Sequence, residues 1–267
     1  MVRGTSTKGL WAAGATAVVV LGLTGYMMFR GGGDNTEGKG GGGASPTVSA
    51  SASFPATPGP TYTVPRDWTE PERWTALPAS SRTDSHGNKV GYPHTTDGAV
   101  AVLVASNDTE VTGSRTLADE QLDNYYSYMG KGSQSEETKK GLEQLSESAD
   151  AEARGEMGLP AKGDLPEGAY MRNTTVGYKI VNRSDDEIGA WLLSRYAVKA
   201  GTSSKEEVTY SRTLLAVHWE GDDGWKITGP AMTAVQNASG GQDKPAIVAP
   251  GDEKFNSAGW TALRAAS

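Results

Sequence analysis

The chain of 267 residues contains no cysteine, which excludes disulfide bonds, cysteine-ligated zinc, thiol catalysis and a lipid-modified N-terminal cysteine. Positive charge is also scarce. Only 25 Lys and Arg residues stand against 32 Asp and Glu residues, for a formal net charge of −7. Because phosphate binding needs clustered Lys and Arg, we expect no nucleic-acid partner.

Sequence motifs for catalysis are missing as well. The chain contains no G-x-S-x-G, S-x-x-K or H-E-x-x-H pattern. His86 and His94 lie eight residues apart in a predicted loop without a third ligand, which does not make a metal site. His218 falls within a predicted strand, where a structural role is expected. We therefore predict a non-enzymatic protein without cofactor or metal, and keep an isomerase-like activity as the alternative.

One long apolar run is present, from Gly9 to Phe29, and it carries no charge over 21 residues. About 20 such residues cross the hydrocarbon core of a bilayer as a helix. A cleaved signal peptide is the rival interpretation, but its apolar region is usually shorter and ends at a small-residue site. We predict an uncleaved single-pass anchor with residues 1–8 in the cytoplasm and the rest of the chain outside the cell membrane.

Within this run, Gly9, Ala13 and Ala17 recur every four residues, a spacing that lets two membrane helices approach closely. The sequence thus offers possible self-association through the anchor. The alternative without functional meaning is that small residues are simply abundant in this part of the chain.

Residues 30–65 are rich in Gly, Pro and Ser, with Phe54 as the single aromatic residue before Tyr62. A segment of this composition buries too little apolar surface to offset its ordering entropy, so it is predicted to be a flexible linker. Beyond it, Trp68, Trp74 and Leu77 occur among prolines. They predict an arm that packs onto the domain. The functional alternative is an aromatic surface that binds carbohydrate.

Three helices are predicted next. Thr95 or Thr96 begins a short helix in which every residue from Ala99 to Ala105 is apolar, as expected of a helix buried in the core. Thr116 caps a second helix, and a third runs from about Ser135 to Glu156. The predicted inner-face residues of the last two helices are Leu117, Leu122, Tyr125, Tyr126, Met129, Leu142, Leu145, Ala149 and Ala153.

From Ala169 the apolar period changes to two, which predicts long antiparallel strands joined by polar turns. The turns contain Asp185-Asp186 and Asp222-Asp223, where hydrated carboxylates are ordinary turn residues. One face of the sheet is expected to be buried and the other partly wet. From Ala231 onward we expect a fraying strand or an exposed tail, so the domain is predicted to span residues 66–236 and the tail residues 237–267.

Helices followed by an antiparallel meander indicate an α+β fold, with a curved sheet closing around the short helix. This order resembles the nuclear-transport-factor-like (cystatin-like) cone. Together with the anchor and linker it resembles the scaffold subunit of conjugation and type IV secretion systems in Gram-positive bacteria. A closer likeness, to membrane-anchored proteins of high-GC Gram-positive bacteria, rests on the segment from Gly91 to Val100, GYPHTTDGAV.

The resemblance implies an extracytoplasmic domain that docks with other envelope or transfer proteins. Two alternatives remain: a small-molecule binding or isomerase-like domain that uses the hollow of the cone, and a sensor of wall fragments or peptides. The candidate contact residues are Trp68, Trp74, Tyr92 and His94.

Overall fold

The computed structural model describes residues 67–264, which form a mixed α+β fold with a curved sheet. The predicted anchor and linker lie outside the described residues. Within residues 67–264, no helix combines the length and apolarity needed to cross a bilayer.

The three predicted helices are confirmed: α1 spans Thr96–Asn107, α2 Leu117–Tyr128 and α3 Glu136–Glu156. Each begins where a hydroxyl side chain accepts a hydrogen bond from a backbone N–H of the first turn. Thr95, Thr116 and Ser135 are these capping residues. The sequence therefore fixes the helix starts locally.

The strands are β1 (Trp74–Ala76), β2 (Arg82–Thr83), β3 (Lys89–Val90), β4 (Thr109–Val111), β5 (Ala169–Arg183), β6 (Glu187–Ala200), β7 (Glu207–Trp219), β8 (Trp225–Lys226) and β9 (Thr261–Arg264). The main sheet has the order β1-β9-β5-β6-β7-β8, and β4 also pairs with β5. The long strands β5, β6 and β7 form the predicted antiparallel meander. Strands β2 and β3 form a separate hairpin.

The prediction for the end of the chain was wrong. Residues Gly229–Ser239 form helix α4, a short helix α5 spans Lys254–Ser257, and β9 pairs with both β1 and β5. Phe255 and Trp260 are fully buried. The segment is part of the fold because its two aromatic side chains cover the sheet, and periodicity over so few residues does not reveal that.

The sheet is consequently covered on both faces. Ile188, Ala190, Leu215 and Val217 alternate with Gly189 and Ala216, and all six are buried. Val235 of α4 lies where a β-carbon on Gly189 would be, so the missing side chain permits close approach. Because neighbouring residues of a strand point to opposite faces, α4 covers the face that was expected to be wet.

Helices α2 and α3 pack over the start of β5 and the end of β6, where they form a second apolar cluster. Asp150 and Arg154 of α3 are buried as an ion pair with an N–O distance of 2.6 Å, and Asp150 also accepts a hydrogen bond from the N–H of Leu117. Tyr126, predicted to face inward, is instead 40% exposed and stacks on His86. It follows the buried Tyr125 in the sequence and lies just outside the buried face of α2.

Candidate functional site

A cavity of about 650 Å³ lies at the C-terminal end of α1, beneath the N-terminal arm. It is open to solvent on one side and is lined by side chains from α1, from β5, from the ends of β1 and β9, and from the connecting segments. The lining residues are Trp74, Leu77, Pro78, Ala79, Ser80, Lys89, Tyr92, Ala101, Val104, Ala105, Asp108, Thr174, Thr175, Val176, Pro250, Leu263 and Arg264. Apolar side chains predominate, and the polar groups are few.

One face of α1 forms a wall of this cavity. Ala101, Val104, Ala105 and Asp108 recur at positions i, i+3, i+4 and i+7, which lie on the same side of a helix. The opposite side carries Leu103, which is fully buried. The short alanine side chains on the cavity side leave space that a larger residue would fill.

The cavity lies at a gap along one edge of β5. Strand β4 pairs with β5 as far as Asn173, and β9 pairs with it again from Gly177. Residues 174–176 between these two partners line the cavity. A bulge between Thr175 and Gly177 interrupts the register at the same place.

Asp108 is the ionisable side chain held at this gap. Its Oδ1 accepts hydrogen bonds from the backbone N–H and the hydroxyl of Thr175, each at 2.7 Å. Within the described part of the chain, Oδ2 has no hydrogen-bond partner. Burial raises the pKa of the Asp108 carboxyl to about 7, while the hydrogen bonds from Thr175 lower it.

Two phenols lie near this carboxyl. Tyr92 lines the cavity, and both burial and the negative charge of Asp108 raise its pKa above the usual 10. Burial chiefly raises the pKa of Tyr128, whose hydroxyl donates to the carbonyl oxygen of Lys89 at 3.0 Å. Near neutral pH the cavity therefore contains the neutral phenol of Tyr92 together with a carboxyl group that can gain or lose a proton.

Behind Asp108 a buried polar network holds the floor of the cavity in place. The amide nitrogen of Asn107 donates to the hydroxyls of Thr175 and Ser194, each at 2.9 Å. Asn173 of β5 donates in turn to the carbonyl oxygen of Asn107. Asp108 is thus positioned by one strand residue, Thr175, which is itself fixed by the last residue of α1.

Two of the four predicted contact residues, Trp74 and Tyr92, come together at this cavity. Trp68 does not line it. Its ring packs onto Gly251, where φ is +95° and a β-carbon would lie 2.2 Å from the ring. The indole N–H groups of Trp68 and Trp74 both donate to the carboxylate of Glu70, at 3.0 and 2.9 Å.

His94 lies at the opposite end of α1, away from the cavity. Its ring stacks on Trp219 with a centroid distance of 4.1 Å, and its Nε2 is 2.9 Å from Asp186. It also contacts the edge of Trp225, whose indole N–H donates to the carbonyl oxygen of Pro93. The structure therefore gives His94 a position that supports the start of the helix.

The remaining sequence candidates lie elsewhere in the chain. Gly9, Ala13 and Ala17 lie outside the described residues. His86 lies 3.5 Å from Asp123, and no cluster of three metal-ligating residues occurs within residues 67–264. In the second predicted turn, Asp223 forms an exposed ion pair with Lys131.

Asp108 was not singled out by the sequence analysis. A signal was present, because an acidic residue directly follows an apolar helix. The C-terminal end of a helix carries partial negative charge and disfavours an acid there. An acid in that position therefore points to a local compensation or to a function.

Comparison with known proteins gave no match to a family model, a curated protein or a solved structure. The function of this chain is therefore inferred from its own geometry.

Proposed function

We propose that the domain binds a small, largely apolar molecule in the cavity at the C-terminal end of α1. The observation that carries this proposal is the 650 Å³ cavity with Asp108 in its wall and one carboxylate oxygen unpartnered among the described residues. Ligand sites typically combine an apolar lining of this volume with a few placed polar groups. Ligand binding is one of the two alternatives that the sequence left open.

The proposed setting is the outer side of a cell membrane. The apolar run at residues 9–29 and the linker at 30–65 support a single-pass anchor that carries the domain outside. Helix α1 against a curved sheet supports a nuclear-transport-factor-like cone. Protease added to intact protoplasts should digest the domain, and its full protection would contradict this orientation.

The binding proposal is tested with a fragment library and the full-length protein in lipid nanodiscs. Compounds that raise the unfolding temperature are retested on Ala105→Trp, which fills the cavity from α1. Glu147→Trp, on the exposed face of α3, is the matched control. We expect binding to the wild type and to the control but not to Ala105→Trp. Equal binding by all three proteins, or none by the wild type, would overturn the proposal.

We propose binding without turnover, because the sequence contains none of the catalytic patterns G-x-S-x-G, S-x-x-K and H-E-x-x-H. An isomerase-like proton transfer would need a carboxyl group with a raised pKa and a hydrogen-bond donor for the developing oxyanion. Asp108 and Tyr92 are residues of those types. Bound compounds should nevertheless be recovered unchanged by mass spectrometry, and an isomerised product would contradict this part of the proposal.

Docking with other envelope or transfer proteins, in a conjugation or secretion apparatus, is a second candidate function. It is favoured by the order of anchor, linker and domain in the sequence. Among the described residues, only Tyr126 and Val208 are large hydrophobic side chains with high exposure, so a polar interface is expected. Affinity purification from gently solubilised membranes should recover an envelope partner, and recovery of this chain alone would count against it.

A further inference from the structure

Asp108 is a carboxylate without a cation. None of the ion pairs among residues 67–264 includes it, and burial is the main cause of its raised pKa. Buried charges in proteins are ordinarily paired, because an isolated charge loses the stabilisation that water gives it. The chain supplies two hydrogen bonds to Oδ1 but no partner for Oδ2 among the described residues.

The two cations of the cavity lining are engaged with other groups. The ammonium of Lys89 donates to the hydroxyl of Thr83 at 2.9 Å. The guanidinium of Arg264 lies 5.1 Å from the ring centroid of Trp74. Neither forms an ion pair with the half-buried Asp108, so its free oxygen can contact water, take up a proton or bind the cationic group of a ligand.

We propose that the cavity selects an organic cation, a protonated amine on an apolar body, whose ammonium group binds Oδ2 of Asp108. This inference rests on the proposed function and names its ligand class. The apolar body contacts Ala101, Val104 and Leu77, and the ring of Tyr92 offers a further favourable surface for a cation. A ligand carboxylate would be repelled by Asp108, and a neutral alcohol would leave the charge uncompensated.

If the ligand is an organic cation, its affinity should depend on pH and should fall as the pH decreases. An ammonium group binds the ionised form of Asp108, so below the pKa of about 7 the ligand has to displace a proton. Affinity should therefore fall about tenfold for each pH unit well below 7 and level off above it. The phenols of Tyr92 and Tyr128, with pKa values raised above 10, stay neutral in this range, while Lys89 and Arg264 add positive charge to the lining.

The test uses three probes with the same apolar body: 2-cyclohexylethylamine, 2-cyclohexylethanol and cyclohexylacetate. Binding to the full-length protein in nanodiscs is measured by calorimetry at pH 6 and pH 8. Asp108→Asn removes the charge and keeps the shape, and Asp222→Asn in an exposed turn is the matched control. At pH 8 the wild type and the control should bind the amine at least about tenfold more tightly than the alcohol.

In Asp108→Asn the preference for the amine and the loss of affinity at pH 6 should both disappear. The inference is overturned if the amine does not bind at millimolar concentration, if the alcohol or the acid binds as tightly, or if Asp108→Asn keeps the preference. Binding of the alcohol or the acid that Ala105→Trp abolishes would contradict only the ligand class and leave the cavity function standing.

Discussion

The two ends of helix α1 differ in how completely their polar groups are satisfied. At the N-terminal end, Thr95 caps the backbone, and His94 is held between Trp219 and the Asp185-Asp186 turn. At the C-terminal end, Asp108 receives hydrogen bonds on one oxygen, and the other has no partner among the described residues. We call the N-terminal end of α1, where the side chains have partners, the closed end. The C-terminal end, where one oxygen of Asp108 has none among the described residues, is the open end.

Under the proposed function, this difference separates an end of the helix that stabilises the fold from an end that binds a ligand. The side chains around His94 already have partners, whereas the half-buried carboxylate of Asp108 has a free oxygen that a cation can contact. His94, one of the four candidate contact residues from the sequence, lies at the closed end. The unexpected residue, Asp108, lies at the open end.

The largest predicted effect is a loss of stability caused by a substitution at the closed end. A β-carbon on Gly98 would lie 2.0 Å from the carbonyl oxygen of Pro93, a backbone atom that cannot move aside easily. Gly98→Ala should therefore destabilise the protein by about 3 kcal/mol in urea unfolding followed by tryptophan fluorescence. Gly155→Ala, where a β-carbon meets nothing within 4 Å, should be neutral or stabilising by up to about 1 kcal/mol. Equal effects of the two substitutions would contradict the assigned close contact.

The next prediction concerns the open end. The folded-state pKa of Asp108, about 7, lies above its ordinary value of 3.8, so the folded protein binds the proton more tightly. Stability is consequently lost as pH rises from about 4 to about 7. At pH 8, Asp108→Asn should be more stable than wild type by about 2 kcal/mol, less than the full pKa shift implies because Asp108 is only half-buried.

This stability difference should shrink to well below about 1 kcal/mol at pH 4, where Asp108 is protonated in the folded state and close to its ordinary pKa of 3.8 in the unfolded state. Urea unfolding at pH 4, 6 and 8 measures it. A variant less stable than wild type at pH 8 would show that the carboxylate is already compensated.

A smaller effect sharpens the role of Thr175. Its hydroxyl donates to Asp108 and lowers the carboxyl pKa, against the larger effect of burial. Thr175→Val should raise the pKa of Asp108 by about one unit, equivalent to about 1.4 kcal/mol. Titration of the carboxyl carbon by NMR measures this shift, and Thr174→Val, on the neighbouring residue, is the control. An unchanged pKa of Asp108 in Thr175→Val would show that this hydroxyl does not stabilise the carboxylate.

The smallest effect returns to the closed end. Thr95→Ala removes the side-chain oxygen that accepts from the N–H of Gly98 at 3.1 Å and should cost about 1 kcal/mol. Ligand affinity should stay unchanged, because Asp108 lies at the other end of the helix. A loss of affinity with this variant would show that the two ends are coupled.

Several elements were predictable because short stretches specify them. Threonine and serine caps fixed the starts of α1, α2 and α3, and apolar alternation revealed the three long strands. The C-terminal segment was mispredicted because its strand β9 has four residues and depends on pairing with β1 and β5. No local pattern of that length reports partners nearly two hundred residues away.

For the candidate site, the sequence singled out Trp74 and Tyr92 but not their neighbour Asp108. The sequence by itself determined that α1 is too apolar to face water, because this follows from its side chains alone. Only the tertiary structure decided that α1 ends beside the gap in β5. The pKa of Asp108 reflects the burial and the hydrogen bonds that distant parts of the chain bring to it, and the identity of the residue does not contain that information.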